Sequence, residues 1–277
     1  VSMLDYFRPD NLEEALSFLN EQPRVLLAGG TDFFPARVGK PIKEDVLDIT
    51  GINSLKSIEI TDKNIKIGAL TTWSDIVRYD LPPAFNGLKK AAITIGGLQT
   101  QNAATLCGNI CNASPAADSV PNLMALEARV KLQSSNETRI LKLEDFLLGN
   151  RKTARKPNEL VSEILIPRPN ENCFGNFEKL GARAYLVISI VMVGVVIEMD
   201  NKQNVLSLKI AVGSCSPVAK RLKLLERDAV GQKLNSLEIH PKYIESLEPI
   251  DDIRATASYR KDVIPELVKR SINGVLK

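Results

Sequence analysis

Two short stretches constrain this chain more than anything else in it: A-G-G-T-D at Ala28–Asp32 and L-C-G-N-I-C-N-A-S-P-A-A-D at Leu106–Asp118. Each follows an apolar stretch, and each strips side chains from the main chain where something must come close to it. In the first, Gly29 and Gly30 can take positive φ without steric cost. Successive N–H groups in such a turn converge into an anion-binding concavity, and Thr31 adds a hydroxyl. A diphosphate needs those features, although a plain tight strand-to-loop turn uses glycine pairs as well. The pattern is not G-x-G-x-x-G, and no acidic residue stands about 20 positions on in a βαβ setting, which disfavours a doubly wound dinucleotide site. In the second stretch Thr105, Gly108 and Asn109 are followed by Ser114, Pro115 and Asp118. Pro115 fixes one φ and deletes one donor, so Ser114 and Asp118 offer a hydroxyl and a carboxylate at a set interval. A carboxylate is a usual partner for a ribose diol; Asp118 can equally cap the helix expected just after it.

Periodicity places these stretches among mixed elements. Asp10 and Glu13 read as a capping box before a helix carrying Leu12, Ala15, Leu16 and Leu19, ended by Pro23. Val25–Leu27 and Val46–Ile49 read as strands. Ser57–Ile60 and Ile65–Ala69 flank T-D-K-N, and Val130–Gln133 and Arg139–Leu141 flank S-S-N-E; both read as hairpins. Thr72 caps a helix to about Arg78, stopped by Pro82 and Pro83. Gly87–Ile95 is helical, and Pro121 suits the first turn of a helix carrying Leu123, Met124, Leu126 and Ala128. Leu160–Ile166 is a strand, followed by a linker. Beyond it Phe177–Leu180, Ile188–Met199 and Val205–Gly213 are strands, and Val218–Arg227 and Ala255–Ile272 are helical patterns. A boundary falls near Pro169. Partly segregated strands and helices favour α+β.

A chain of 277 residues with 44% hydrophobic and 25% charged side chains has the balance of a soluble globular protein with a sizeable core. Its 36 basic and 33 acidic residues leave +3, too little to imply nucleic acid or an acidic membrane. The longest apolar stretch, Ala184–Ile197, is interrupted by Ser189 and too short for a bilayer. The opening V-S-M-L-D-Y-F-R-P lacks a charged-then-apolar leader pattern. Cys107, Cys111, Cys173 and Cys215 form no C-x-x-C pair, so structural thiols, no metal site and a reducing, cytoplasmic setting are expected. The single histidine, His240, precedes a proline in a polar stretch and reads as a surface residue.

Taken together, the two glycine stretches resemble the FAD-binding middle subunit of the molybdenum hydroxylases, the xanthine, aldehyde and carbon monoxide dehydrogenase group. That family typically carries A-G-G-T-[DN]-L, and A-G-G-T-D-F stands at Ala28–Phe33. It carries Q-I-R-N-x-A-T-I-G-G-N followed by S-P-x-x-D-x-x-P, and Gln99–Pro121 read Q-T-Q-N-A-A-T-L-C-G-N-I-C-N-A-S-P-A-A-D-S-V-P. Further matches are G-x-R-K-T at Gly149–Thr153, E-L-V-S-E-I-L-I-P at Glu159–Pro167, F-x-K-x-G-x-R at Phe177–Arg183 and A-x-Y-R at Ala257–Arg260. The S-P-x-x-D spacing is the most specific of them.

The resemblance implies a two-part FAD-binding domain of the vanillyl-alcohol-oxidase type over 1–169, divided at roughly 55, and a smaller α+β C-terminal domain over 170–277. It implies that Ala28, Gly29, Gly30, Thr31 and Asp32 hold the diphosphate, with Leu27 and Phe33 adjoining. Thr105, Gly108, Asn109, Ser114 and Asp118 would line the dinucleotide, Ile95 its adenine side, and Val161 and Lys179 the isoalloxazine. No residue of the chain is expected to be catalytic. Electrons from the iron–sulfur clusters of a small partner, fed by a molybdopterin large subunit, would pass through FAD to NAD+ or another acceptor. A self-sufficient flavin oxidase and a cofactor-free scaffold are the alternatives. Two positions depart from the family: Cys107 stands where G-G-N has its first glycine, and Asn150 replaces the tyrosine of G-Y-R-K-T. A cysteine does not take positive φ cheaply.

Overall fold

The computed structural model describes residues 5–276, so the first four residues of the opening segment lie outside the described residues. A small parallel sheet comes first, with β1 (Tyr6–Phe7), β2 (Val25–Leu27) and β3 (Val46–Asp48) in the order β1-β3-β2. Helix α1 (Leu12–Glu21) joins β1 to β2. The two hairpins follow: β4 (Ile58–Ile60) with β5 (Asn64–Gly68), and β6 (Arg129–Gln133) with β7 (Thr138–Lys142). A ribbon of β8 (Leu147–Gly149) and β9 (Lys152–Thr153) precedes β10 (Leu160–Pro167). β10 enters between the hairpins, antiparallel to β5 and β6, closing a sheet ordered β4-β5-β10-β6-β7. Between the hairpins in sequence lie α2 (Trp73–Arg78), α3 (Asn86–Thr94), α4 (Leu98–Ala103), α5 (Leu106–Asn112) and α6 (Ser119–Ala125). After β7 comes α7 (Leu143–Phe146).

The last sheet is antiparallel: β11 (Cys173–Leu180), β12 (Val191–Met199), β13 (Val205–Gly213) and β14 (Lys220–Arg221), in that order. Helices α8 (Lys223–Asp228) and α9 (Ala257–Asn273) complete the chain as an α+β fold. β12 reads as an unbroken apolar run because both its faces are covered. Val191, Val193, Val195 and Ile197 join the core that contains Ile264, Leu267 and Val268 of α9. On the alternate positions, Val196 joins the core of the preceding helices, and a Cβ at Gly194 would lie 2.6 Å from the Asn122 nitrogen of α6. Period-two alternation therefore sorts the strand's residues between two cores, and Gly194 lets α6 sit directly on the sheet.

Several local readings change. The cap of α1 is Asn11, not Asp10: Asn11 Oδ1 accepts from the Glu14 amide at 2.9 Å. Asn and Asp cap equally well, so a one-residue shift leaves the pattern intact. The expected helix over Val218–Arg227 starts only at Lys223, because Lys220 and Arg221 pair with Val212 and Ala211 as an edge strand. Thr72 does cap α2, with a full capping box to Asp75.

Helix α9 is pinned by an ion pair. Asp252 accepts from Arg260 Nη2 at 2.8 Å and from the Arg254 and Ala255 amides at 2.8 and 3.1 Å. Burial pushes the Asp252 carboxyl up, but these donors outweigh it and hold it at about 2. A carboxylate depressed in the folded state contributes stability above its unfolded value of about 4, lost as pH falls toward the folded value. Asp252→Asn is therefore expected to flatten the fall in urea midpoint between about pH 4 and pH 2. An unchanged slope over that range would contradict the assignment.

Candidate functional site

The chain leaves β2 at Leu27 and turns at once. Gly30 has φ of 73°, the left-handed region. The turn is closed by the Phe34 amide donating to the Gly30 carbonyl and the Ala36 amide to the Asp32 carbonyl, both at 3.1 Å. The five consecutive amides from Gly29 to Phe33 have no acceptor among the described residues. Gly29 to Thr31 and Phe33 are half-buried and Asp32 is exposed, so these donors are not sealed into the core. Arg37 lies over the Phe33 ring at 4.0 Å and donates to the Phe33 carbonyl at 3.1 Å, which keeps a cation beside the turn.

The second stretch reaches the same place. A Cβ built on Gly29 would lie 2.0 Å from the Ala103 carbonyl oxygen and 3.0 Å from Ala104 Cα. Backbone therefore presses on backbone, and only glycine fits. From there Thr105 bridges to Thr72, the Trp73 amide donates to the Ala104 carbonyl at 3.2 Å, and the Leu106 amide donates to Thr71 at 3.1 Å. Thr105 Oγ1 accepts from the Gly108 amide at 3.0 Å, capping α5. What the sequence suggests is a second bare turn is thus a helix start. Cys107 sits inside α5 and needs no positive φ; Ala113, at the end of that helix, takes φ of 48° instead. Burial pushes the Cys107 thiol well above its ordinary range, in keeping with a packed structural thiol. Replacing Thr105 by valine keeps the shape but removes the cap, and should cost about 1 kcal/mol by urea unfolding.

Past α5 the chain is knit to the carboxylate. Ser119 Oγ donates to Asn109 Oδ1 at 2.6 Å, tying α6 to α5. Ser114 Oγ accepts from the Ala116 amide at 3.3 Å, and the Ser114 carbonyl accepts from Ala117 at 3.1 Å, which folds S-P-A-A into a tight corner. Asp118 occupies the cap position of α6 but makes no side-chain cap bond. Its carboxylate is buried and committed elsewhere: Lys179 Nζ on β11 donates to Oδ2 at 2.6 Å, and the Ser189 hydroxyl donates to Oδ1. Burial pushes the Asp118 carboxyl up, opposed first by the Lys179 charge and then by the two hydrogen bonds.

The structure thus sets Gly29 of the turn against Ala103 and Ala104, next to Thr105, links Thr105 through Gly108, Asn109 and Ser119 to Asp118, and joins Asp118 to Lys179. Gly108 and Asn109 have local duties that account for them, since the Gly108 amide is used by the cap and the Asn109 oxygen by Ser119. Ile95 ends α3 partly buried against the core, and the Val161 side chain is buried in β10 opposite Leu132. Both are apolar side chains packed into or against the first core. Ser189 was not singled out by the sequence because it reads as a break in an apolar run.

Two clefts line the seam where α6 and α7 meet β14 and α8, and a small third one lies between Ser114–Pro115 and Pro217–Ala219. The two larger measure about 350 and about 820 Å³ and share Met124, Glu144, Arg221 and Lys223. None of the three touches Ala28–Phe33. The cations there are largely spoken for, with Arg221 on Glu226 and Lys220 on Glu248, both at 2.7 Å. Among the described residues no group of three His, Cys, Asp or Glu could hold a metal, and no helix is long and apolar enough to cross a membrane.

The residues at the turn fit a pyrophosphate: a run of free amides, a hydroxyl, the Arg37 guanidinium, which is paired with Glu44 at 3.2 Å, and a glycine that lets the turn lie against the Ala103 backbone. Comparison with known proteins assigns nearly the whole chain to one family. Residues 2–169 match the family described as FAD binding domain in molybdopterin dehydrogenase, and residues 177–275 match the CO dehydrogenase flavoprotein C-terminal domain. The nicotinate dehydrogenase FAD-subunit of Eubacterium barkeri is 31% identical, with 99% of this chain and 93% of that protein covered. The glyceraldehyde dehydrogenase medium chain of Sulfolobus acidocaldarius is also 31% identical, with 98% and 97% covered. A chain in the structure of carbon monoxide dehydrogenase from Hydrogenophaga pseudoflava superposes with a TM-score of 0.87 at 26% identity, covering 99% of this chain and 97% of that one. Turn, capped helix and buried carboxylate all fall within the first matched region, and this chain belongs to the FAD-binding subunits of the molybdopterin dehydrogenases, oxidoreductase components whose cofactor is FAD.

Proposed function

We propose that this chain is the electron-relaying subunit of a molybdenum hydroxylase complex, working with an iron–sulfur small subunit and a molybdopterin large subunit in the cytoplasm. Residues 1–169 form its cofactor domain, in two parts divided near residue 55, and residues 170–277 its C-terminal domain. FAD, when bound, supplies the conversion between single electrons arriving from iron–sulfur clusters and the pair leaving to NAD+ or another acceptor. The chain's own residues bind and orient. Amides of Gly29 to Phe33 take the pyrophosphate, with Thr31 as side-chain donor and Leu27 and Ala28 setting the turn. Thr105, Gly108, Asn109 and Ser114 shape the wall along the dinucleotide, with Ile95 toward the adenine. Asp118, Lys179 and Val161 serve the flavin end, where Lys179 brings a positive charge that Asp118 balances.

The observation that carries this reading is the run of free amides from Gly29 to Phe33 pressed against the segment that starts α5. An absorbance spectrum from the near-ultraviolet to the blue, with mass analysis of the released cofactor, tests it. A flavin spectrum and the mass of FAD are expected from the purified chain. Correctly folded protein that stays colourless after incubation with FAD would overturn the reading. Co-purification of two partners, one rich in cysteine, separates the relay from a self-sufficient oxidase, which would turn over a substrate alone.

A further inference from the structure

Arg260 of the A-x-Y-R stretch does more than pin α9: it reaches the Asp118 carboxylate through Ile190 and Ser189. Arg260 is buried, and its Nη1 donates to the Ile190 carbonyl and, at 2.9 Å, to the Ser214 carbonyl. Nη2 is held by Asp252 at 2.8 Å. The Ile190 amide donates to the Leu180 carbonyl at 2.8 Å. The backbone of Ile190 is therefore gripped from both sides: by the strand residue that follows Lys179 and by a guanidinium from the last helix. The residue before Ile190 is Ser189, whose hydroxyl donates to Asp118 Oδ1. Ser189 is the polar interruption of the apolar run from Ala184 to Ile197, and its hydroxyl bonds to Asp118.

We propose that Arg260 is a positioning residue: by fixing the Ile190 carbonyl it holds the Ser189 hydroxyl on Asp118, so that the C-terminal helix sets the geometry of the Asp118–Lys179 pair. The functional side of this latch rests on the reading that the pair faces FAD. Arginine suits the task because its rigid planar fork can bond carbonyl oxygens and a carboxylate at once, which a lysine ammonium does not reproduce. Arg260 is itself buried while its partner Asp252 is exposed, and Arg260 Nε finds no partner among the described residues. A group kept at that cost is better explained by what it orients. Lys179 is the charged group acting on Asp118 from the surrounding elements; Ser189 and the α5–α6 contact are neutral.

The test uses the full chain without cofactor. Carboxyl-labelled aspartate is followed by NMR through a pH titration, with Asp118→Asn identifying the Asp118 signal. Ser189→Ala removes a donor that favours the ionised form, so the Asp118 midpoint should move to higher pH. Arg260→Lys should move it in the same direction. In the double variant the midpoint should go no further than in Ser189→Ala alone, because both changes act through one hydroxyl. An unmoved Asp118 in Ser189→Ala, or shifts that add in the double variant, would overturn the latch. If Arg260→Lys does not fold, Asp252→Asn loosens the same guanidinium from its exposed side and should give a smaller shift of the same sign, also absent in the Ser189→Ala background. FAD affinity is the second readout: by flavin fluorescence, Ser189→Ala should raise the Kd about tenfold, the scale of one hydrogen bond to a charged group. A wild-type chain that takes up no FAD would sink the proposed function, while the titration still decides whether Arg260 positions Ser189.

Discussion

Gly29→Ala is expected to give a chain that retains no FAD and unfolds about 3 kcal/mol more easily than the wild type, at the upper end of typical overpacking costs. The reason is what the new methyl would meet. The Ala103 carbonyl oxygen lies 2.0 Å from that Cβ and the Ala103 carbonyl carbon 2.7 Å. These are backbone atoms in the segment that ends α4 and leads into the Thr105 cap, so no rotamer change relieves the overlap. Either the turn or the start of α5 must move, and the two sides of the cradle part in both cases. Gly30→Val acts differently. Its φ of 73° is unfavourable for any side chain, by roughly 1–2 kcal/mol, but the atoms its Cβ would meet at 2.8 Å belong to the Phe34 ring, which is exposed and free to swing. The Gly30 variant should therefore fold and still lose flavin, because the side chain stands among the free amides. Thermal midpoint and flavin-to-protein ratio, measured on both variants, separate these outcomes. A Gly29→Ala protein with wild-type midpoint and full flavin content would rule out the close approach on which the site is built.

How much of this was visible beforehand depends on the range of each interaction. The A-G-G-T turn was legible because glycine's backbone freedom is a property of one residue, and S-P-x-x-D because proline and its neighbours act within a few positions. The hairpins around T-D-K-N and S-S-N-E were legible for the same reason. Helix α5 was not: L-C-G-N-I-C-N is poor in strong helix formers and holds a glycine in its first turn, so propensity points to a turn. The helix forms because Thr105 caps it and because Leu106, Cys107 and Ile110 are buried. Lys220 and Arg221 looked helical because periodicity cannot register a strand that exists only through pairing with β13. The ion pair of Asp118 and Lys179 joins residues 61 apart, and no local signal announces such a contact. The resemblance placed both residues at the cofactor; only the fold joins them to each other and adds Ser189.

That pair sets up the second large effect. Asp118→Ala leaves the Lys179 ammonium, whose side chain is 12% exposed, without its carboxylate. Removing one partner of a buried pair typically costs about 3–5 kcal/mol, far more than the pair contributes net, because the remaining charge stays desolvated. Lys179→Met strands the carboxylate instead, with only the Ser189 hydroxyl left to it. The double variant Asp118→Ala/Lys179→Met removes both charges and should recover more than half of the summed losses, an interaction term of at least about 2 kcal/mol in a double-mutant cycle. Losses that simply add would mean that the two groups do not depend on one another. The same proteins test the cofactor assignment through a different quantity. If Lys179 faces FAD, the double variant must remain poor at binding FAD even though its stability has returned, since no cation is left at that end of the cradle. Recovery of flavin affinity together with stability would show instead that Asp118 and Lys179 serve the fold alone, and that the flavin's ring side is met by other residues.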